Sequence, residues 1–341
     1  MELSFDGEAV HGGNAARERF YDSRGYGTPT DGGLLLAPVE AAHLLFRGDL
    51  EAVVDARPGG DGRLGFRAFL TAAVPEVAFL VYKDLRDRGF YLSSASEGAN
   101  RFVVHPRGDG PWDDTVAYQV LAVSERAPVA AATLRGLAHE PATGVLAVAD
   151  EESEITYLGL SVPSMEGTTA HEVPTTSGEL LSDRAIAWEP PAALHEQAFY
   201  GQRLDRDEQA VQLSLVEAAY LAAESRLELA GGPPAVVERG RSVEGDRFDR
   251  RRRVYRALRT AGIVPKTGFK FGADFRTYKE VTSVDELGHS ELLVRVLPTR
   301  HSFAPRDLAL DVRLAGGVRK QMTFALVGDE IDWLGVERLT P

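Results

Sequence analysis

The sequence predicts an α+β chain built as a tandem duplication, each repeat a small α/β N-terminal subdomain followed by an α/β mixed-sheet subdomain. The first observation is self-similarity. Phe20-Tyr21 recurs as Phe199-Tyr200, Val39-Glu-Ala-Ala42 as Val216-Glu-Ala-Ala219, Val81-Tyr-Lys-Asp-Leu-Arg-Asp-Arg-Gly89 as Val254-Tyr-Arg-Ala-Leu-Arg-Thr-Ala-Gly262, and Ile155-Thr-Tyr-Leu-Gly159 as Ile331-Asp-Trp-Leu-Gly335. The offsets are 179, 177, 173 and 176 residues, and ordered matches at a nearly constant spacing are the mark of a repeat. The second is that each copy passes from helical to strand-like periodicity. The third is a Ser-, Thr-, Pro- and Glu-rich stretch from Ser161 to about Glu196 without sustained periodicity, which reads as a partly extended linker. The expected division is a first repeat over 1–160, a linker over 161–196 and a second repeat over 197–341, itself split into a small subdomain (197–250) and a mixed-sheet subdomain (251–341).

Within each repeat the front part carries an apolar helical pattern, as in Leu215-Val-Glu-Ala-Ala-Tyr-Leu-Ala-Ala. The back part opens with the Val-Tyr-x-x-Leu-Arg helix, closed by Gly89 or Gly262 at a C-cap position. Five β-like runs follow in the second copy: 275–278, 292–297, 308–314, 321–327 and 331–334. Alternation in the last three reads as half-buried strands of a mixed sheet.

A chain of 341 residues, 44% hydrophobic, has enough apolar material for two cores. No apolar run approaches membrane-spanning length and the first residues lack a signal-peptide pattern, so the expectation is a cytoplasmic protein. The absence of cysteine removes disulfides, thiolate nucleophiles and Cys-based zinc sites. The formal charge is −13, yet only five of 38 basic residues are Lys (Lys83, Lys266, Lys270, Lys279, Lys320). An acid-rich, lysine-poor surface suits a salt-rich, halophilic cytoplasm, and a GC-rich genome would also favour Arg. From Arg251 to Pro341 there are 16 basic and 11 acidic residues, so the basic surplus falls in the second repeat.

That region holds Lys266-Thr-Gly-Phe-Lys-Phe-Gly-Ala-Asp-Phe-Arg-Thr-Tyr278, then Gly288-His-Ser-Glu291 and Gly317-Val-Arg-Lys320. A phenol, an imidazole and an ammonium are the groups a metal-free cleavage of RNA needs: a base for the ribose 2′-OH, an acid for the departing 5′-oxygen and a cation for charge on the non-bridging oxygens. Tyr278 is the candidate base, His289 the acid and Lys320 the cation. A free phenol titrates near 10, so cations must stabilise the phenolate, and Arg276, Lys279 and Lys320 are candidates. Taken singly, each residue also has an ordinary structural reading: a Tyr packing at a strand end, a loop His beside carboxylates and a solvent-facing Lys, with His301 a rival acid.

Those segments resemble the catalytic repeat of the archaeal tRNA-intron splicing endonucleases. In that family the Tyr closes the Lys-Thr-Gly-Phe-Lys-Phe-Gly segment, the His opens a His-Ser-Glu segment, and the Lys follows; the separations here are 11 and 31 residues. The resemblance implies that the mixed-sheet subdomain is of the tRNA-intron endonuclease catalytic type and that Tyr278, His289 and Lys320 are its triad. It implies an enzyme that cuts precursor tRNA at both splice sites within a bulge-helix-bulge motif. The reaction is a cofactor-free, lyase-type transesterification leaving a 2′,3′-cyclic phosphate and a 5′-hydroxyl. It further implies RNA contacts by Arg313 and Arg338, with Arg276 beside the Tyr. The expected assembly is a homodimer in which the acidic segment of the degenerate repeat (Asp150, Glu151, Glu152, Glu154) docks on the partner's catalytic repeat. The first copy has Arg101-Phe-Val-Val-His105 where the second has the Tyr, and reads as non-catalytic.

Two other readings compete. A metal-dependent nuclease of the restriction type needs an acid two residues before its lysine, where Val318 stands. A non-catalytic RNA-binding or assembly subunit would leave the triad without a task.

Overall fold

A computed structural model describes residues 2–60, 62–95, 98–205 and 207–341. The chain forms two compact units. One comprises Met1–Ser161 with Ser302–Ala309 and Glu337–Pro341, the other Val162–His301 with Leu310–Val336. Among the described residues no helix is long and apolar enough to cross a membrane.

In the first unit, small strands precede helix α1 (Pro38–Phe46), and helix α2 (Glu76–Asp87) begins the larger subdomain. Ala78, Val81, Tyr82 and Leu85 recur at helical spacing on the buried face of α2. Gly89, at φ +90°, ends the turn that follows, a conformation easy only for glycine. Strands β1 (Leu92–Ser94), β2 (Arg101–Val104) and β3 (Tyr118–Ser124) follow, then helix α3 (Ala131–Ala138), β4 (Thr143–Ala149) and β5 (Ile155–Ser161). They lie side by side in chain order, antiparallel except for the parallel β3–β4 pair, which helix α3 connects.

The second unit repeats this plan. Helix α4 (Leu215–Ala223) is capped by Ser214, whose Oγ accepts the Glu217 amide. Helix α5 (Asp246–Thr260) ends before Gly262, at φ +74°. Then come β6 (Val264–Thr267), β7 (Phe275–Tyr278), β8 (Leu292–Pro298), helix α6 (Pro305–Gly317), β9 (Gln321–Val327) and β10 (Ile331–Leu339). Again the strands are antiparallel in order, with only β8–β9 parallel.

The two cores also share an aromatic ladder. Tyr26–His43–Tyr82–Phe102 has centroid steps of 5.9, 5.5 and 5.7 Å. Tyr200–Tyr220–Tyr255–Phe275 has steps of 6.3, 5.7 and 5.9 Å, with the same sequence of stacked, edge-on and edge-on contacts. Arg86 lies 4.0 Å over Tyr26, and Arg259 lies 3.7 Å over Tyr200. Glu40 accepts the Gly27 and Ala37 amides at 2.8 Å; Glu217 accepts those of Gly201 and Ser214 at 3.0 Å. These contacts pair Tyr26-Gly27 with Tyr200-Gly201, correcting the sequence match of Phe20-Tyr21 to Phe199-Tyr200.

Three further expectations change. Residues 308–314 are not a strand: they lie in helix α6, where Leu308, Val312 and Ala315 are buried at helical spacing while Leu310 and Leu314 are exposed. Their apparent alternation is a helix sampled over too few residues. The stretch 161–196 is not a free linker. Arg184–Ala187 pairs with Val211–Ser214, and Gly167, Thr168 and Thr169 donate backbone hydrogen bonds to Ala261, Lys279 and Gly262. Finally, Ser302–Ala309 clusters with the first unit rather than with the rest of 197–341, because Ser302 and Phe303 pair with Ala130 and Val129.

Candidate active site

Strand β7 alternates. Phe275 and Thr277 face the core, while Arg276 and Tyr278 share the opposite face with their cross-strand partners Lys266 and Val264. Tyr278 is 8% exposed, at the end of its strand. His289 is exposed in the loop before β8, and Lys320 is half-buried immediately before β9.

Hydrogen bonds adjacent to each of the three join their segments. The Glu291 amide donates to Thr277 O at 3.0 Å, the Gln321 amide to Glu291 O at 3.1 Å, and Lys320 Nζ to Ser290 O at 2.6 Å. Residues distant in sequence are thereby set at the starts and ends of neighbouring strands. The guanidinium of Arg276 lies 5.9 Å from the centre of the Tyr278 ring, and its Nε is buried without a hydrogen-bond partner. Lys279 pairs with Glu291 at 3.4 Å, and Lys320 Nζ lies 5.9 Å from the Phe271 ring. The loop between β6 and β7 is anchored by Asp274, buried between Arg247 and Arg251 and accepting the Val296 amide. Arg313 is exposed on α6, as is Arg338 on β10.

Behind Tyr278 lies a group that the sequence reading passed over. Phe199 meets the Tyr278 ring edge-on at 5.6 Å between centroids, and Lys266 Nζ sits 4.5 Å from the Phe199 ring. The ammonium donates to Gly201 O at 2.6 Å, Phe199 O at 3.2 Å and Glu217 Oε1 at 3.3 Å. Burial lowers Lys266 below the usual lysine range, with Glu217 opposing that shift. Burial also pushes Glu217 up, but Lys266 and the surrounding donors outweigh it and hold the carboxyl below its ordinary value. The signal for Lys266 was available: it is one of only five lysines in the chain.

In the first repeat the corresponding positions carry other chemistry. His105 replaces Tyr278 and is locked by Ser93 Oγ at 3.0 Å and Thr115 O at 2.8 Å. Strand register sets Ala142, the residue before β4, opposite Lys320 in the comparison. The acidic segment forms the β4–β5 hairpin tip. The Asp150 carboxylate accepts the Glu152 and Glu154 amides at 2.9 Å, Ser153 adopts φ +66°, and Glu151 pairs with Arg126. The equivalent tip in the second copy, Gly328-Asp-Glu330, is two residues shorter.

The chain is similar to known proteins over its whole length. Residues 248–333 match the family described as tRNA intron endonuclease, catalytic C-terminal domain, and residues 1–64 and 176–236 match its N-terminal domain family. Over the full length of both chains, the sequence is 61% identical to a tRNA-splicing endonuclease of Haloarcula marismortui and 58% identical to one of Natronomonas pharaonis. It is 35% identical to that of Methanosarcina mazei over 99% of each chain.

Proposed function

As a member of the tRNA-splicing endonuclease family, this chain is an endonuclease of precursor-tRNA splicing, and we propose that it cuts by metal-free transesterification at the Tyr278, His289 and Lys320 site. Tyr278 removes the proton of the ribose 2′-OH, whose oxygen attacks the adjacent phosphorus. His289 protonates the 5′-oxygen as its bond to phosphorus breaks, and Lys320 balances charge on the non-bridging oxygens. The products are a 2′,3′-cyclic phosphate and a 5′-hydroxyl. The observation that carries this reading is the hydrogen-bond stitching of Thr277, Ser290, Glu291, Lys320 and Gln321, which ties together the three segments bearing those side chains. Val318, two residues before Lys320, offers no carboxylate for a restriction-type metal.

The substrate in this reading is cytoplasmic precursor tRNA, recognised at a bulge-helix-bulge by splayed bases and backbone shape. Arg313, Arg338 and Arg276 supply the cationic contacts. The active species is a homodimer, one catalytic repeat for each splice site. The exposed Leu310, Leu314 and Val318, at helical spacing along α6 and beyond its end, support a protein contact there, and the protruding acidic tip supplies charge for docking.

The decisive experiment incubates the full chain with a bulge-helix-bulge RNA in excess EDTA and high monovalent salt. Cyclic-phosphate and 5′-hydroxyl ends are expected, with cutting abolished at a junction carrying a single 2′-deoxynucleotide and retained at the other. Cleavage at the deoxy position leaving a 5′-phosphate would mean water activation and would overturn all three roles.

A further inference from the structure

Burying an ammonium is costly, so its placement asks for a reason. Lys266 is 8% exposed, with its Nζ on two backbone carbonyls of the Phe199–Gly201 turn as well as on Glu217. The turn itself is strained: Phe199 adopts φ +53°, a left-handed conformation that a bulky residue keeps only when its surroundings over-determine it. Its ring belongs to a small apolar cluster with Val264, Tyr278 and Val281, against which Val284 and Leu287 pack. That cluster runs from the phenol toward the loop that carries His289.

The first repeat is an internal control. It retains the aromatic ladder, the arginine over its first ring and the glutamate holding the turn. At the position of Phe199, immediately before the ladder's first Tyr, it has Gly25; at the position of Lys266, set by strand register, it has Ser93. The fold therefore forms without the buried ammonium and the strained ring. Both occur in the copy that has the Tyr.

We propose that Lys266 is a positioning residue for Tyr278: its ammonium pins the Phe199–Gly201 turn, and the Phe199 ring held there fixes the phenol in the orientation that reaches the 2′-OH. This inference rests on Tyr278 being the base. Reactant geometry accounts for orders of magnitude in rate, so loosening the phenol lowers the chemical step more than binding.

The test uses full-length protein and a bulge-helix-bulge RNA, measuring RNA Kd, thermal unfolding and single-turnover rate. Lys266→Met/Glu217→Gln removes both buried charges together, and Phe199→Gly copies the first repeat without touching any charge, so a folded variant is available even if one fails. Each is expected to cut about 10 to 100 times more slowly with Kd within about threefold, and Lys266→Arg to recover part of the rate. In a Tyr278→Phe background, which keeps the ring and loses the hydroxyl, the same changes should slow residual cleavage less than about twofold, because they act through that hydroxyl. A Phe199→Gly rate within about threefold of the unmodified chain, or an undiminished loss in the Tyr278→Phe background, overturns the proposal. Unimpaired cleavage by Tyr278→Phe itself would instead remove the base assignment on which it rests.

Discussion

Glu40 in the first repeat and Glu217 in the second hold equivalent turns through equivalent backbone amides, in opposite electrostatic surroundings. Burial pushes the Glu40 carboxyl up to about 7, its hydrogen bonds and Arg86 opposing that only in part. Glu217 is equally buried, but Lys266 and the local donors carry it below the ordinary range. The turn of the first repeat is held by its glutamate with no ammonium hydrogen-bonded to it. The cation marks the repeat in which Phe199 is held against Tyr278, so the difference between the copies separates what the scaffold needs from what accompanies the proposed catalytic side chains.

The largest effect expected from this contrast is on chemistry. Tyr278→Phe or His289→Ala should lower single-turnover cleavage by roughly 10² to 10⁴ with RNA binding largely intact, the usual range for a positioned acid or base. His105→Ala, at the matching place in the first repeat, should leave the chemical step unchanged. Cleavage within about tenfold of the unmodified chain for both second-repeat variants would remove the assignment.

A smaller effect concerns stability against pH. Because Glu40 titrates at about 7 when folded and at 4.5 as a free group, the folded chain binds the extra proton between those values. Its contribution is therefore greatest below about 4.5 and declines as pH rises through 7, by on the order of 3 kcal/mol. Glu217 has the opposite sign: its stabilisation is present above the free-carboxyl range and is lost as pH falls through its depressed value. Denaturant unfolding across this range should show Glu40→Gln flattening the decline toward pH 7, whereas Glu217→Gln removes stability at neutral pH. Identical profiles for the two variants would erase the electrostatic distinction between the repeats.

The smallest effect is at the hairpin tip, where the copies differ by two residues. Asp150 builds the turn with its own carboxylate, so in the proposed homodimer the charges left for docking are those of Glu151, Glu152 and Glu154. Changing these three to Gln should weaken the dimer about tenfold by sedimentation and lower cleavage in parallel, since opposed charges set register as well as affinity. An unaffected dimer would leave the acidic tip a solvated turn.

The duplication was legible because the recurring residues are core residues: Val39-Glu-Ala-Ala42 and Val216-Glu-Ala-Ala219 are buried in helices α1 and α4. The segments carrying Tyr278, His289 and Lys320 were legible as motifs. Helix α6 was not, because Leu308, Leu310, Val312 and Leu314 alternate by accident along a helix whose buried face is 308, 312 and 315. Lys266 escaped notice because its meaning lies in carbonyls 65 and 67 residues away, which no local pattern encodes. The stretch 161–196 misled for a related reason. Small and polar residues imply slack chain when the backbone's partners are unseen.

Those partners give the segment a consequence for dividing the protein. Gly167 lies so close to Gly262 and Lys279 that a Cβ there would fall 2.4 Å from one carbonyl oxygen and 2.8 Å from the other. Thr169 Oγ1 accepts the Val281 amide, and His171 Nε2 donates to Val281 O, so the strap continues past Tyr278 toward the histidine loop. A fragment cut at residue 197 would carry Tyr278, His289 and Lys320 yet leave these backbone groups without their mates. The natural severance point lies ahead of Gly167, and the stretch that looks like a tether is a structural portion of the half that follows it.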